Sequence, residues 1–292
     1  MNLLKYKKLN AFTSDSSTGN PAACLYLDAG QALNSEDMQN IARDHKGFVS
    51  EVVYCTAEDK NLFSLKYYSS ECEVEFCGHG TIACMYDLIK SSSALSSLPE
   101  VYIDTSKGRL TVYNELQALD AVFISAPEPI FLGTDVDSQM AAAALGIAQN
   151  SVSEEHPIDL VNAGLSTLIV PISALSVELS MQPDEQELKA FCFDHGIDII
   201  LVFTSDVSNR RNFVRTRVFA PKFGYLEDKA TGSGNSALGN YMLRHNMWDG
   251  RPIQIEQNAE PSAYNIVQLK TIDDKVVFGG KATVKIEGTY RY

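Results

Sequence analysis

The sequence predicts an α+β protein built on mixed β-sheets in two matching halves. Three observations carry that expectation. Strand-like and helix-like segments interleave along the 292 residues. A hairpin signal at Ser106-Lys107-Gly108 adds antiparallel pairing to the crossover pattern. Two glycine-rich turns, Cys77-Gly78-His79-Gly80-Thr81 and Thr231-Gly232-Ser233-Gly234-Asn235, lie about half a chain apart and each runs into a helix-like stretch.

The elements follow in order. Lys5–Phe12 and Ala22–Leu27 read as strands, separated by a polar turn and Gly19-Asn20-Pro21. Ser35 offers an N-cap, with Glu36 and Asp37 in the first turn and Met38, Ile41, Ala42 and His45 at helical spacing. Ser50–Cys55 and Leu62–Tyr68 are strands, and the first glycine turn opens a helix over His79–Ile89. Val101–Asp104 and Arg109–Tyr113 form the hairpin, and Val122–Ser125 is a strand leading to a crossing at Ala126-Pro127-Glu128-Pro129. Beyond it, Gln139–Leu145 and Glu185–Phe193 are amphipathic helices, and Thr167–Pro171, Ile199–Thr204 and Val214–Ala220 are strands. The second glycine turn opens a helix across Ser236–Leu243, and Ala282–Ile286 alternates as a closing strand.

Apolar residues make up 45% of the chain and charged residues 21%, which suits a globular protein with a substantial core. A formal charge of −13 argues against nucleic acid or an anionic membrane as partner. Asn2–Asn10 carries Lys5, Lys7 and Lys8 among its apolar residues, which is not the pattern of a signal peptide, and the apolar runs are too short to span a bilayer. Six cysteines without Cys-x-x-Cys spacing point to reduced thiols and a cytoplasmic location.

The glycine turns point to a ligand. Glycine lets the backbone approach closely, and the first N–H groups of a helix lack internal partners and sit at the positive end of its dipole. A pair of such turns suits one small anionic molecule, a carboxylate or phosphate. Glu51 stands in a strand that otherwise reads as buried, among Phe48, Val49, Val52, Val53 and Tyr54. A carboxyl group in apolar surroundings has its pKa raised, which suits it to giving and taking protons; the competing reading is an edge-strand glutamate in water. His79 between two glycines could reach a ligand or simply cap its helix, and Asp228 could serve the site or the helix dipole.

No metal site is expected, because the five histidines are isolated in sequence and form no His-x-x-x-His pair. No cofactor is expected either. Gly232-Ser233-Gly234-Asn235-Ser236-Ala237 fits the dinucleotide fingerprint, but it does not follow a strand directly, and no βαβ unit continues past it. Cys77 occupies a helix N-terminus, where a thiolate is stabilised. The equivalent position of the second turn holds Thr231, too weak an acid for a symmetrical two-thiol racemase.

With these residues in view, the chain resembles the phenazine-biosynthesis PhzF-like family of the diaminopimelate epimerase-like fold. The likeness runs through Ala11-Phe12-Thr13, Gly19–Ala23, Met38–Ala42, Ser50-Glu51, Cys77–Thr81, Arg217–Pro221 and Glu227–Ser233. It implies two pseudo-symmetric domains, residues 1–127 plus 281–292 and residues 128–280, each a curved mixed sheet wrapped around a central helix with the active site in the cleft. It also implies a homodimer and a cofactor-independent isomerase that moves a proton within a small cyclic or amino-acid-derived carboxylate. Carried over by position, Glu51 matches the proton-shuttling glutamate, and His79 and Asp228 match its companions. Asn20 and the turn residues Gly78, Gly80, Thr81, Gly232, Ser233 and Gly234 would hold substrate. Gly80 departs from the alanine or proline that many members carry. Cys77–Ile82 also resembles the turn of proline racemases and hydroxyproline dehydratases, so an enzyme using Cys77 and Thr231 is the alternative, with a non-catalytic small-molecule binding protein as the third.

Overall fold

The computed structural model describes residues 3–28 and 30–292; Asn2, where the lysine-bearing N-terminal run starts, lies outside them. The chain divides into two compact units. One holds the residues up to Thr13, Thr18–Ser125 and Gly279–Tyr292, and the other holds Ser14–Ser17 and Ala126–Phe278. Among the described residues, no helix is long and apolar enough to cross a membrane.

The first unit is a mixed sheet. Strand Leu3–Ala11 pairs antiparallel with both Ala282–Arg291 and Asn20–Leu27. Asn20–Leu27 then runs parallel to Glu51–Asp59, which is antiparallel to Leu62–Ser69. Leu62–Ser69 is parallel to Glu100–Thr105, and the hairpin continues through Gly108–Glu115 to Ala121–Ser125. Parallel neighbours need crossovers, and helices Ser35–Asp44 and Gly78–Ser91 supply them. On one side, Met38, Ile41 and Ala42 pack with Val52, Tyr54 and Tyr68. The other helix is buried along most of its length, including Ile82, Ala83, Met85 and Ile89.

The second unit repeats this order. Ser166–Pro171 runs parallel to Ile199–Thr204 and Ile199–Thr204 antiparallel to Val214–Phe219. Val214–Phe219 is in turn parallel to Ile253–Gln257, which is antiparallel to Asn265–Ile272. Helix Glu185–Asp194 takes the place of Ser35–Asp44, and the buried helix Gly232–Arg244 takes that of Gly78–Ser91. Even the two-residue strands before the glycine turns correspond, Glu73–Val74 in one unit and Glu227–Asp228 in the other. Each unit is thus a mixed sheet with a buried helix against it, an α+β architecture used twice.

Some details differ from the sequence reading. The first N-cap is Asn34, not Ser35: its side chain accepts from Asp37 N, one residue earlier than the Ser-Glu-Asp run suggests. The second glycine-turn helix begins at Gly232 rather than Ser236. Three strands that the reading passes over, Ile253–Gln257, Asn265–Ile272 and Lys275–Gly280, fill the stretch before the closing strand. Several of their polar residues are buried, which breaks the alternation that marks a half-exposed strand.

Candidate active site

Glu51 opens its strand and is paired on both sides, to Ala22 and to Ser69, so it is not on an edge. Side chains alternate across a strand, so Glu51 shares a face with Val53. Val53 lies under the glycine-turn helix: a Cβ on Gly80 would come 2.8 Å from Val53 Cγ2. That face therefore aims Glu51 at the helix N-terminus, and Asn20, two residues before Glu51's partner Ala22, shares the face and is buried.

Cys77 is the N-cap of helix Gly78–Ser91, and its sulfur accepts from Gly80 N at 3.3 Å. His79 is the second residue of the helix, with Nε2 3.2 Å from Glu51 Oε2; the two side chains are 12% and 19% exposed. Cys77 Sγ is 3.8 Å from the same carboxylate oxygen and 3.5 Å from His79 Nδ1. The setting of Glu51 is therefore an imidazole and a thiol rather than an apolar wall. Burial opposes a charged His79, yet Cys77 and Glu51 together hold its pKa well above the ordinary imidazole value. Burial pushes the Cys77 thiol up, against the pull of His79 and Gly80 N–H and with that of Glu51.

The turn residues divide. Gly80 leaves room for the Cys77 sulfur, since its Cβ would sit 3.0 Å from Sγ; this accounts for glycine in place of alanine or proline. Gly80 N–H is already engaged by that sulfur. Thr81 is fully buried, with its hydroxyl 2.8 Å from Cys77 O and 2.7 Å from Tyr67 Oη. The side chain of Thr81 therefore fastens the turn from inside.

In the second unit, alternation separates the two acids before the turn. Glu227 accepts from Arg217 Nε and Nη2, at 3.1 and 2.8 Å. Asp228 instead accepts from the Thr231 hydroxyl at 2.5 Å. Thr231 is the N-cap of Gly232–Arg244, but its hydroxyl makes no cap bond, so the N-terminus has no side-chain acceptor from its own cap. Gly232 is glycine because a Cβ there would meet the Phe278 ring at 2.2–2.8 Å. Ser233 is partly exposed and Gly234 is buried in the same first turn.

Gln257 completes this second cradle and is absent from the sequence-derived candidates. It is fully buried, and its Oε1 accepts from Thr231 N at 3.0 Å and Asn235 Nδ2 at 2.7 Å. Its Nε2 donates to Asp228 O at 3.0 Å and Thr231 Oγ1 at 3.2 Å. One amide thus pins Asp228, the cap and the first helical turn. In the sequence it is the last residue of Ile-Gln-Ile-Glu-Gln, which carries no local sign of that role.

The molecule is thus a repeated α+β unit with glycine-cradled helix N-termini and an acid beside a histidine at the first of them. The sequence profile of the PhzC-PhzF family, described as phenazine biosynthesis-like protein, matches residues 9–288. The chain belongs to that family. It is similar to an uncharacterized isomerase of Bacillus subtilis, at 28% identity over 99% of this chain and 96% of the relative. It is also 27% identical to a trans-2,3-dihydro-3-hydroxyanthranilate isomerase of Pseudomonas chlororaphis, covering 94% of this chain and 97% of that protein. Among solved structures, a PhzF-family protein of Bacillus anthracis superposes with a TM-score of 0.84 over 100% of both chains, at 22% identity, and shares the fold.

Proposed function

We propose that this isomerase moves a proton between carbons of a small cyclic or amino-acid-derived carboxylate, without a cofactor, and that Glu51 both removes and returns the proton. The observation that supports this most is the contact of Glu51 Oε2 with His79 Nε2 at a helix N-terminus. Both side-chain contacts of Glu51, to His79 and Cys77, fall on Oε2, so Oε1 is the atom to meet a carbon-bound hydrogen. In the reaction a C–H bond breaks towards Glu51, and its electron pair spreads through the conjugated system towards the substrate carboxylate. A new C–H bond then forms at another carbon as Glu51 gives the proton back.

His79 holds the carboxylate in position and supplies positive charge beside it. Helix N-termini stabilise the electron-rich transition state in the manner of an oxyanion hole. Positioned acid–base catalysis of this kind is worth about 10²–10⁴-fold. Asp228 is assigned as a second polar group of the site, held in place by Thr231 and Gln257. Asn20, Gly78, Gly80, Gly232, Ser233 and Gly234 are assigned to substrate binding, and a cytoplasmic homodimer completes the reading.

The dihydro-hydroxyanthranilate named for the Pseudomonas chlororaphis relative bears a ring carboxylate and is the first compound to assay. Incubating a panel of such carboxylates with the enzyme in deuterated water, followed by proton NMR, tests the proposal. Loss of the signal at one carbon and gain of hydrogen, or of deuterium where the proton held by Glu51 exchanges with solvent, at a second carbon is the expected result. Binding with neither isomerisation nor exchange by any member of the panel would instead make the chain a binding protein. The racemase- or dehydratase-like alternative predicts that Cys77→Ala abolishes exchange, whereas a glutamate-driven isomerase retains it.

A further inference from the structure

Cys77 has no part in the proposed proton transfer, yet its sulfur lies among the atoms that carry it. Sγ is 3.5 Å from His79 Nδ1 and 3.9 Å from His79 Nε2. The two nitrogens point away from each other across Cε1, so a sulfur in line with either would lie much farther from the other. Distances this nearly equal place it beside the ring, and an in-plane approach between the nitrogens would press it onto Cε1. The sulfur therefore packs on the face of the imidazole, as a polarisable thiol does against an aromatic ring. It is also 3.8 Å from Glu51 Oε2, the atom that His79 Nε2 meets at 3.2 Å.

That sulfur is itself held in place. It accepts from Gly80 N at 3.3 Å as the cap of its helix. The Thr81 hydroxyl, 2.7 Å from Tyr67 Oη, donates to Cys77 O at 2.8 Å and fixes the backbone beneath it. The missing Cβ of Gly80, which would sit 3.0 Å from Sγ, gives the sulfur room. The second unit offers a parallel: Thr231, the cap of helix Gly232–Arg244, turns its hydroxyl to Asp228 rather than to its own helix. In each unit the cap residue thus touches a side chain assigned to the site, Asp228 through an oxygen and His79 through a sulfur.

We propose that Cys77 is a positioning residue: its sulfur is the surface on which the His79 ring is seated, so that Nε2 stays on Glu51 Oε2. It exchanges no proton with the substrate and forms no covalent bond to it. Without the sulfur, the ring can turn into the space left and Nε2 leaves the carboxylate, and a displacement of about 1 Å in a catalytic pair can lower the rate by about 10²-fold. Serine at this position restores the helix cap, but its smaller oxygen does not fill the space over the ring. The effect on rate rests on the proposed roles of Glu51 and His79; the seating of the ring does not.

One readout needs no substrate. The His79 ring is followed by NMR in the free enzyme, assigned by its disappearance in His79→Gln. Cys77 and Glu51 are the titratable groups that raise its pKa against burial. His79 should therefore titrate well above the ordinary imidazole value of about 6.5 in the wild type, and move down towards it in Cys77→Ala and Cys77→Ser. On the carboxylate that the wild-type enzyme isomerises, Cys77→Ala should lower kcat by about 10–100-fold without abolishing exchange, with KM within about threefold. Cys77→Ser should recover the urea midpoint but not the rate. In the His79→Gln background Cys77→Ala should lower kcat by less than about twofold, because a residue that acts through the imidazole has nothing left to act on. A His79 titration unmoved in Cys77→Ala, losses that multiply in the double variant, or wild-type kcat in Cys77→Ser overturns the positioning role. A Glu51→Gln enzyme that still turns over, with the His79 titration moved in Cys77→Ala, would leave the seat standing and remove the assignment of Glu51.

Discussion

Gln257→Leu is the sharpest structural perturbation the molecule offers. The wild-type amide makes four hydrogen bonds in a fully buried position, accepting from Thr231 N and Asn235 Nδ2 and donating to Asp228 O and Thr231 Oγ1. Leucine fills similar volume but leaves two buried N–H groups unpaired, Thr231 N–H and the Asn235 amide N–H that does not bond Thr231 O, and each such group costs about 1–3 kcal/mol. The sum is about 2–6 kcal/mol. At a mid-range urea m-value of about 2 kcal/mol/M, the unfolding midpoint should fall by about 1–3 M. Trp248, the one tryptophan of the chain, is buried in the same unit and reports that transition by its fluorescence. Gln257→Glu keeps the acceptor and, as the neutral acid, can still donate to Asp228 O, so it should cost less than leucine at a pH low enough to keep the buried carboxyl protonated. A Gln257→Leu midpoint within about 0.3 M of wild type would refute the idea that this amide holds the second cradle together.

Two further predictions follow from packing and charge. Gly80→Ala should destabilise the first unit by about 1–3 kcal/mol, because its Cβ would come 2.8 Å from Val53 Cγ2 and 3.0 Å from Cys77 Sγ; Val53→Ala added to it should recover part of the loss in urea unfolding. Burial raises the Glu178 carboxyl from 4.5 to about 7 despite Arg215 and Arg217 nearby. A raised pKa means the folded state binds the extra proton, so this contribution is fully present below pH 4.5 and fades as pH rises through about 7. The full swing is about 3 kcal/mol, and Glu178→Gln should flatten that part of the pH–stability curve, read from urea midpoints between pH 4.5 and 7.5.

Much of this molecule is legible in its sequence because the chain uses one plan twice. The paired glycine turns report buried helices at equivalent places, and strands that are unbroken apolar runs, such as Ile199–Thr204, can be found from composition and length. The two-residue strands before the turns are too short to carry a period, and Glu227–Asp228 reads as helix-capping acids although Arg217 claims one and Thr231 the other. Isolation in sequence also hides the clustering of polar side chains at the first turn. Glu51 and Cys77 are 26 residues apart, and only the strand register and the helix start bring their side chains together. Gln257 illustrates the remaining gap: a polar residue in an alternating strand points to water by default, and only the second cradle's unpaired N–H groups explain why this one turns inward.

The central claim is that one carboxyl group carries the proton. Its most direct test is the turnover of Glu51→Gln on whichever carboxylate the wild-type enzyme isomerises, with folding checked by circular dichroism. The amide keeps the shape and the contact with His79 but neither takes nor returns a proton at useful rates, so kcat should fall by at least about 10²-fold with binding retained. Turnover within tenfold of wild type would contradict the account.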